Sequence, residues 1–150
     1  PLRDVYKRQI IDRALDIWEL PETNYQPVTT DQEMVIFDGT QTFSNSWIKG
    51  YTFINDEYQD VQTWKELVIG VVKVLAEKDL NKILDLAKSN ESGLLETKFR
   101  TTQNDITNEI IPGLYITVNY SNSNKMKVLN RLFELYEIDN DELSVDIYKN

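Results

Sequence analysis

The chain has neither cysteine nor histidine among its 150 residues. The lack of cysteine excludes disulfides, thiolate nucleophiles and cysteine-ligated zinc. The lack of histidine excludes imidazole-based catalytic triads and the histidine-containing metal arrangement of HNH nucleases. Carboxylates, lysine, tyrosine, serine and threonine are the reactive groups that remain. A chain of this composition performs no chemistry that depends on cysteine or histidine.

Long apolar runs are also missing, since no stretch approaches the ~20 residues that a membrane helix needs. No segment has the charged start, apolar middle and small-residue cleavage site of a signal peptide. Acidic residues outnumber basic ones by 25 to 16, which gives a net charge of −9. Broad contact with a nucleic-acid backbone usually requires a basic surface. We therefore expect a cytoplasmic protein with no membrane contact, whose charge favours basic protein partners.

We interpret the first nine residues as differing in origin from the rest of the chain. The string Asp4-Val5-Tyr6-Lys7-Arg8-Gln9 resembles the translation of a sequencing-library transposon end. We therefore set residues 1–9 aside as a non-native scar. They carry three bases and one acid, so the remainder of the chain has a net charge of −11. This interpretation predicts that the native protein continues upstream.

Helical spacing of apolar residues predicts four helices. The first would be the last helix of a truncated upstream domain, ended by Pro21 and followed by a polar linker to Thr30. In the second, Thr63 and Glu66 have the spacing of a capping box. The predicted helices are Ile10–Leu20, Gln62–Glu77, Leu80–Lys88 and Lys125–Glu137.

Alternating or short apolar runs bounded by turn residues predict the strands. Leu114, Ile116 and Val118 should point inward, and Tyr115, Thr117 and Asn119 outward. Short connections favour antiparallel pairing. Residues 31–150 are thus expected to form one α+β domain, a largely antiparallel sheet with two long helices packed on one face. The predicted strands are Met34–Phe37, Trp47–Ile54, Glu57–Val61, Glu96–Thr101, Leu114–Tyr120 and Leu143–Tyr148.

Several segments together resemble the C-terminal part of GmrSD-type restriction and phage-defence proteins. These segments are the helix at 11–20, the pair Tyr51-Thr-Phe53 and Trp64-Lys-Glu-Leu67, the run 114–121, and the run 139–145. The resemblance covers most of residues 50–147 and depends mainly on hydrophobic and turn positions. It implies a larger parent with a ParB-like nucleotide-using domain and an HNH nuclease domain upstream. The catalytic motifs of those domains are not in this chain, so the resemblance transfers no catalytic residue.

Two groups of residues are candidates for ligand or nucleic-acid binding. Lys98, Arg100 and Thr102 would form a basic sheet edge with Tyr115 beside it, suited to phosphate contact and base stacking. A solvated strand face with cross-strand charge pairing is the alternative. Another pair of candidates, Asn119 and Ser121, lies at a predicted strand-to-helix junction, where free N–H groups attract anions. For this pair the alternative is local capping of the helix.

The acidic run Asp139, Asp141 and Glu142 lacks the glycine and the distant glutamate of a calcium loop. We interpret it as a solvated turn and predict no metal and no cofactor. The preferred hypothesis is a non-catalytic accessory or recognition module of a DNA-targeting defence nuclease. Its partners would be the upstream nuclease domains of the same polypeptide, with DNA as a further partner. A protein-interaction or oligomerisation domain without nucleic-acid contact is the alternative hypothesis.

Overall fold

Residues 31–148 are described by the structure, a computed structural model. The predicted scar, the helix at 10–20 and the linker lie outside the described residues. Within the described range the chain forms an α+β fold, as predicted, with helices packed against two antiparallel sheets. The elements in chain order are β1 (Gln32–Ile36), β2 (Ile48–Phe53), β3 (Gln59–Asp60), α1 (Trp64–Lys78), α2 (Leu80–Lys88), β4 (Phe99–Arg100), β5 (Thr107–Ile111), β6 (Leu114–Thr117), α3 (Asn122–Tyr136), a 3-10 turn (Asn140–Glu142) and β7 (Leu143–Tyr148).

The larger sheet has four strands in the order β1-β7-β2-β3, so the last strand of the fold is inserted between the first two. Val145 of β7 lies opposite Val35 on one side and opposite Tyr51 on the other. Side chains directly opposite one another share a face of the sheet. Val145 and Tyr51 are buried in the core and Val35 packs against it, so this row marks the inner face.

The smaller sheet has three strands in the order β4-β6-β5. Pro112 and Gly113 form the two-residue connection between β5 and β6, because Ile111 pairs with Leu114. Gly113 has φ +89°, a conformation that glycine adopts without steric cost. Pro-Gly is a common turn pair, so the sequence indicates this turn, but β5 itself was not among the predicted strands. The predicted strand Glu96–Thr101 is reduced to the two residues of β4.

The long helix α1 follows its apolar stripe closely. Its buried residues are Trp64, Leu67, Val68, Val71, Val72, Leu75 and Ala76. Thr63 is the N-cap, and its hydroxyl accepts a hydrogen bond from the backbone N–H of Glu66 at 3.2 Å. The Glu66 carboxylate accepts from the N–H of Gln62 at 3.3 Å, one residue before the cap. The predicted capping arrangement is therefore present in a shifted form.

The second long helix, α3, begins at Asn122 rather than at Lys125 as predicted. Its stripe buries Met126, Leu129, Leu132 and Phe133 against the larger sheet and α1. The Phe133 ring stacks on Phe53 at 5.2 Å and meets Phe37 edge-on at 6.1 Å between centroids. These aromatic contacts join α3 to the end of the larger sheet.

One residue predicted to face outward, Thr117, is more buried than expected. Leu114, Ile116 and Val118 are buried as predicted, but Thr117, predicted to point outward, is only 7% exposed. Its backbone N–H donates to the carbonyl oxygen of Lys98 at 2.9 Å, and its hydroxyl donates to the same oxygen at 3.4 Å. Threonine tolerates this burial because both its polar groups are satisfied.

Candidate functional site

The smaller sheet places two of the predicted site residues side by side. Arg100 of β4 lies directly opposite Tyr115 of β6, and Tyr115 lies opposite Glu109 of β5 on its other side. Arg100 and Glu109 are exposed and Tyr115 is half-buried. The exposed face of this sheet thus carries a basic, an aromatic and an acidic side chain in one row.

Lys98 has a different neighbour from Arg100. Its ammonium nitrogen lies 4.5 Å from the centroid of the Tyr120 ring, a cation–π distance. The Lys98 side chain is half-buried, while Arg100 is exposed. The predicted basic edge is therefore divided into an Arg100–Tyr115 pair and a Lys98–Tyr120 pair.

Thr102 follows β4 and is exposed. It lies at an open cleft with a volume of about 340 Å³. Both an acidic residue, Glu96, and a basic residue, Arg100, line the cleft, so it offers no uniformly positive surface to a phosphate. The remaining lining residues are Ala87, Ser89, Thr97, Phe99 and Thr101.

Ser121 is the N-cap of α3, and its hydroxyl oxygen accepts a hydrogen bond from the backbone N–H of Asn124 at 3.2 Å. Asn119 is exposed two residues earlier. The structure thus gives Ser121 the local capping bond that was the alternative to ligand binding. Asn119 and Ser121 lie at the strand-to-helix junction, where they were predicted.

The sequence interpretation missed two buried polar residues in the first turn of α3. Asn122 is fully buried, and its side-chain amide donates to the backbone oxygen of Phe43 at 3.0 Å. Lys125 is also fully buried, and its ammonium donates to the backbone oxygen of Tyr120. Asn122 lies four residues before Met126 and Lys125 four residues before Leu129, so both positions continue the helical spacing of the stripe. This spacing indicates that both residues are buried, but polar side chains are not counted in an apolar pattern.

The larger sheet has an outward face, opposite the core, that carries exposed apolar side chains. We call it the open face. Met34 lies opposite Asp146, Ile36 lies opposite Ser144, and Thr52 of β2 also lies opposite Ser144. Met34 is 48% exposed, Ile36 61% and Tyr58 39%. The open face is defined by Met34, Ile36, Thr52, Tyr58, Asp60, Ser144 and Asp146.

Tyr58 connects the segment before β3 to the middle of the sheet. Its hydroxyl donates to Oδ2 of Asp146 at 2.7 Å. Its ring lies against Gly50, where an added Cβ would be only 2.3 Å from the ring carbon Cζ. Burial, together with the hydrogen bond and the charge of Asp146, raises the pKa of Tyr58 above its usual value.

The open face is also acidic. Its seven residues include the carboxylates of Asp60 and Asp146, and Lys49, at the β-bulge of β2 between Ile48 and Gly50, is the basic residue beside this row. Asp146 is only 9% exposed although it points away from the core, because Tyr58 bonds to it from the side. Asp60 is exposed at the opposite end of the row that runs through Gly50.

Metal binding by residues 31–148 would require several carboxylates close together. None of these residues form a set of three or more carboxylates placed to hold a metal ion. The acidic run predicted as a solvated turn forms the 3-10 turn Asn140–Glu142, and its three carboxylate residues are exposed.

Comparison of the chain with known protein families, curated proteins and solved structures gives no match. In the part of the chain that the structure describes, no helix has the length and apolar character needed to cross a membrane.

Proposed function

We propose that the described domain is a non-catalytic accessory module of a larger protein and that it acts by binding another protein segment through the open face. The observation that supports this proposal is the exposure of Met34, Ile36 and Tyr58 on one face of one sheet, at 48%, 61% and 39%. Contiguous apolar side chains at a surface are typical of interaction sites. Met34 and Ile36 both belong to β1, which is an edge strand of the larger sheet among the described residues.

The resemblance to GmrSD-type proteins supplies a natural partner for the proposal. In that architecture the upstream nuclease domains of the same polypeptide would dock on this module. The module would then position the nuclease or couple its sensing of DNA to cleavage. This proposal predicts that the intact gene encodes a nucleotide-binding motif and an HNH motif upstream, and a full-length gene without them would contradict the nuclease context.

The docking proposal is tested by isothermal titration calorimetry. The proposed upstream nuclease domains are expressed separately and titrated with the 150-residue chain. We expect association that Ile36→Lys weakens at least about tenfold, since a buried charge without a partner is costly in an interface. Ile106→Lys is the matched control, because Ile106 is 47% exposed and lies on the loop before β5. No association, or equal effects of the two variants, would overturn the proposal.

Nucleic-acid contact is a second candidate, favoured by the pairing of Arg100 with Tyr115 on an exposed sheet face. An arginine beside an aromatic ring suits a phosphate and a stacked base. A gel-shift series with single-stranded DNA at increasing salt tests it. Binding that falls steeply with salt and is lost in Arg100→Ala would support this candidate, whereas no binding at any salt would exclude it.

A further inference from the structure

We infer that the partner segment of the open face is basic as well as apolar, with lysine or arginine side chains interspersed among hydrophobic ones. The inference rests on the proposed docking function and specifies the chemistry of its partner. The supporting observation is the presence of two carboxylates, Asp60 and Asp146, within a face whose exposed apolar residues are Met34, Ile36 and Tyr58.

The row that contains both carboxylates crosses all four strands of the larger sheet. It runs from Met34 through Asp146 and Gly50 to Asp60. Neighbouring strands are about 4.8 Å apart, so the backbone positions of the two aspartates lie on the order of 10 Å from each other. A partner segment crossing this row would lie over Tyr58, which covers Gly50, and would contact Asp60 on one side of it and Met34 on the other.

Asp146 has the properties of a carboxylate that orients a partner's cation. One of its oxygens is fixed by the hydroxyl of Tyr58 at 2.7 Å. It is flanked in the row by apolar Met34 and is only 9% exposed. A lysine or arginine that reaches this carboxylate would make a charge-assisted hydrogen bond in surroundings of lowered dielectric constant.

The negative charge of Asp60 and Asp146 argues against two other occupants of the open face, a second copy of the chain and a nucleic acid. A second copy would bring Asp60 and Asp146 toward the same pair on its partner, and each copy has a net charge of −9. A nucleic acid would bring phosphates toward the same carboxylates. A basic segment reverses both effects, since complementary charges steer association and oppose incorrect partners.

The inference is tested with three synthetic peptides and the intact 150-residue chain. The first peptide alternates lysine and leucine, the second replaces every lysine by glutamate, and the third replaces every leucine by serine. Binding is measured by fluorescence anisotropy and located by backbone-amide NMR shifts. We expect the lysine–leucine peptide to bind at least about tenfold more tightly than the other two, because both charge and apolar contact are required.

Matched variants show whether the lysine–leucine peptide binds at the open face. Ile36→Lys and Asp60→Asn should each weaken binding of the lysine–leucine peptide about tenfold, the scale of one lost interface contact. Ile106→Lys and Asp105→Asn make the same changes at exposed residues of the loop before β5 and should leave binding unchanged. The largest amide shifts should fall in β1 and in the segment from Tyr58 to Asp60.

Three outcomes would overturn the inference. Equal binding of the lysine–serine peptide would mean unspecific attraction to an acidic protein. Equal binding of the glutamate–leucine peptide would remove the requirement for a basic partner while leaving the docking function intact. Sedimentation that shows a dimer lost in Ile36→Lys would identify a second copy as the occupant. Failure of the docking function itself is detected separately, by the titration with the upstream part.

Discussion

The hydroxyl of Tyr58 donates a 2.7 Å hydrogen bond to Oδ2 of Asp146, across 88 positions of the sequence. Strand β3 consists of two residues and therefore contributes little backbone pairing of its own. The Tyr58 side chain adds to that pairing, because its hydrogen bond joins the segment before β3 to the inserted strand β7. The same bond orients the carboxylate at the centre of the open face.

Replacement of Tyr58 by phenylalanine removes this hydrogen bond while retaining the ring against Gly50. Hydrogen bonds to charged groups contribute roughly 1.5–3 kcal/mol, and partial exposure favours the lower end. We expect Tyr58→Phe to lower the free energy of unfolding by about 1–2 kcal/mol in urea denaturation. An unchanged midpoint would show that the bond does not stabilise the sheet.

Gly50→Ala tests the close contact beneath the Tyr58 ring. An added Cβ would lie 2.3 Å from Tyr58 Cζ and 2.6 Å from the backbone oxygen of Gln59. Since the backbone cannot rotate away as a side chain does, we expect a loss of about 1–3 kcal/mol by thermal or urea unfolding. The control is Gly93→Ala, where the nearest atom is the mobile Glu96 carboxylate at 2.0 Å. Equal effects at both glycines would contradict the proposed contact.

Stability at alkaline pH should depend on Tyr136. Its hydroxyl donates to the backbone oxygen of Asp79 at 2.6 Å. Burial, and then the charge of Asp79, raises the pKa of Tyr136 to about 12 from 10.0. A raised pKa means that the stabilisation is complete below pH 10 and is lost as the pH rises through about 12. The unfolding midpoint should therefore fall less steeply between pH 10 and 12 in Tyr136→Phe than in the native chain. Parallel curves of midpoint against pH for the two proteins would contradict this prediction.

Substitutions of Ser121 distinguish a helix-capping role from a ligand-binding role. Its hydroxyl accepts from the N–H of Asn124 at 3.2 Å. Ser121→Ala should cost about 1 kcal/mol of unfolding free energy, and Ser121→Asp should retain stability because aspartate is an equally good N-cap. A stable Ser121→Ala variant would indicate that the hydroxyl serves another purpose.

The three described helices and the strands β2 and β7 could be predicted because each has a regular apolar pattern. The helix α1 has an uninterrupted stripe and a threonine cap, and β7 alternates Leu143 and Val145 with polar residues. In contrast, β5 was missed because its sequence, Thr-Asn-Glu-Ile-Ile, has apolar residues only at the end. Its stability comes from pairing with β6, which local patterns do not reveal.

The open face could not be predicted as a surface, because it is assembled by register. Met34, Gly50, Asp60 and Asp146 come from four separate strands, and only the insertion of β7 between β1 and β2 brings them into one row. Of the predicted basic edge, Arg100 lies in β4, Lys98 precedes this strand and Thr102 follows it. Lys98 and Arg100 belong to separate pairs because the Lys98 ammonium lies over the Tyr120 ring, whereas Arg100 lies opposite Tyr115.

Docking of a protein partner on the open face is tested most directly by backbone-amide NMR of the 150-residue chain during titration with the nuclease domains that the proposal expects upstream. The proposal predicts that the largest shifts fall at Met34, Ile36, Tyr58 and Asp60 and that Ile36→Lys abolishes them. Shifts confined to Arg100 and Tyr115, or no shifts in either sheet, would contradict it.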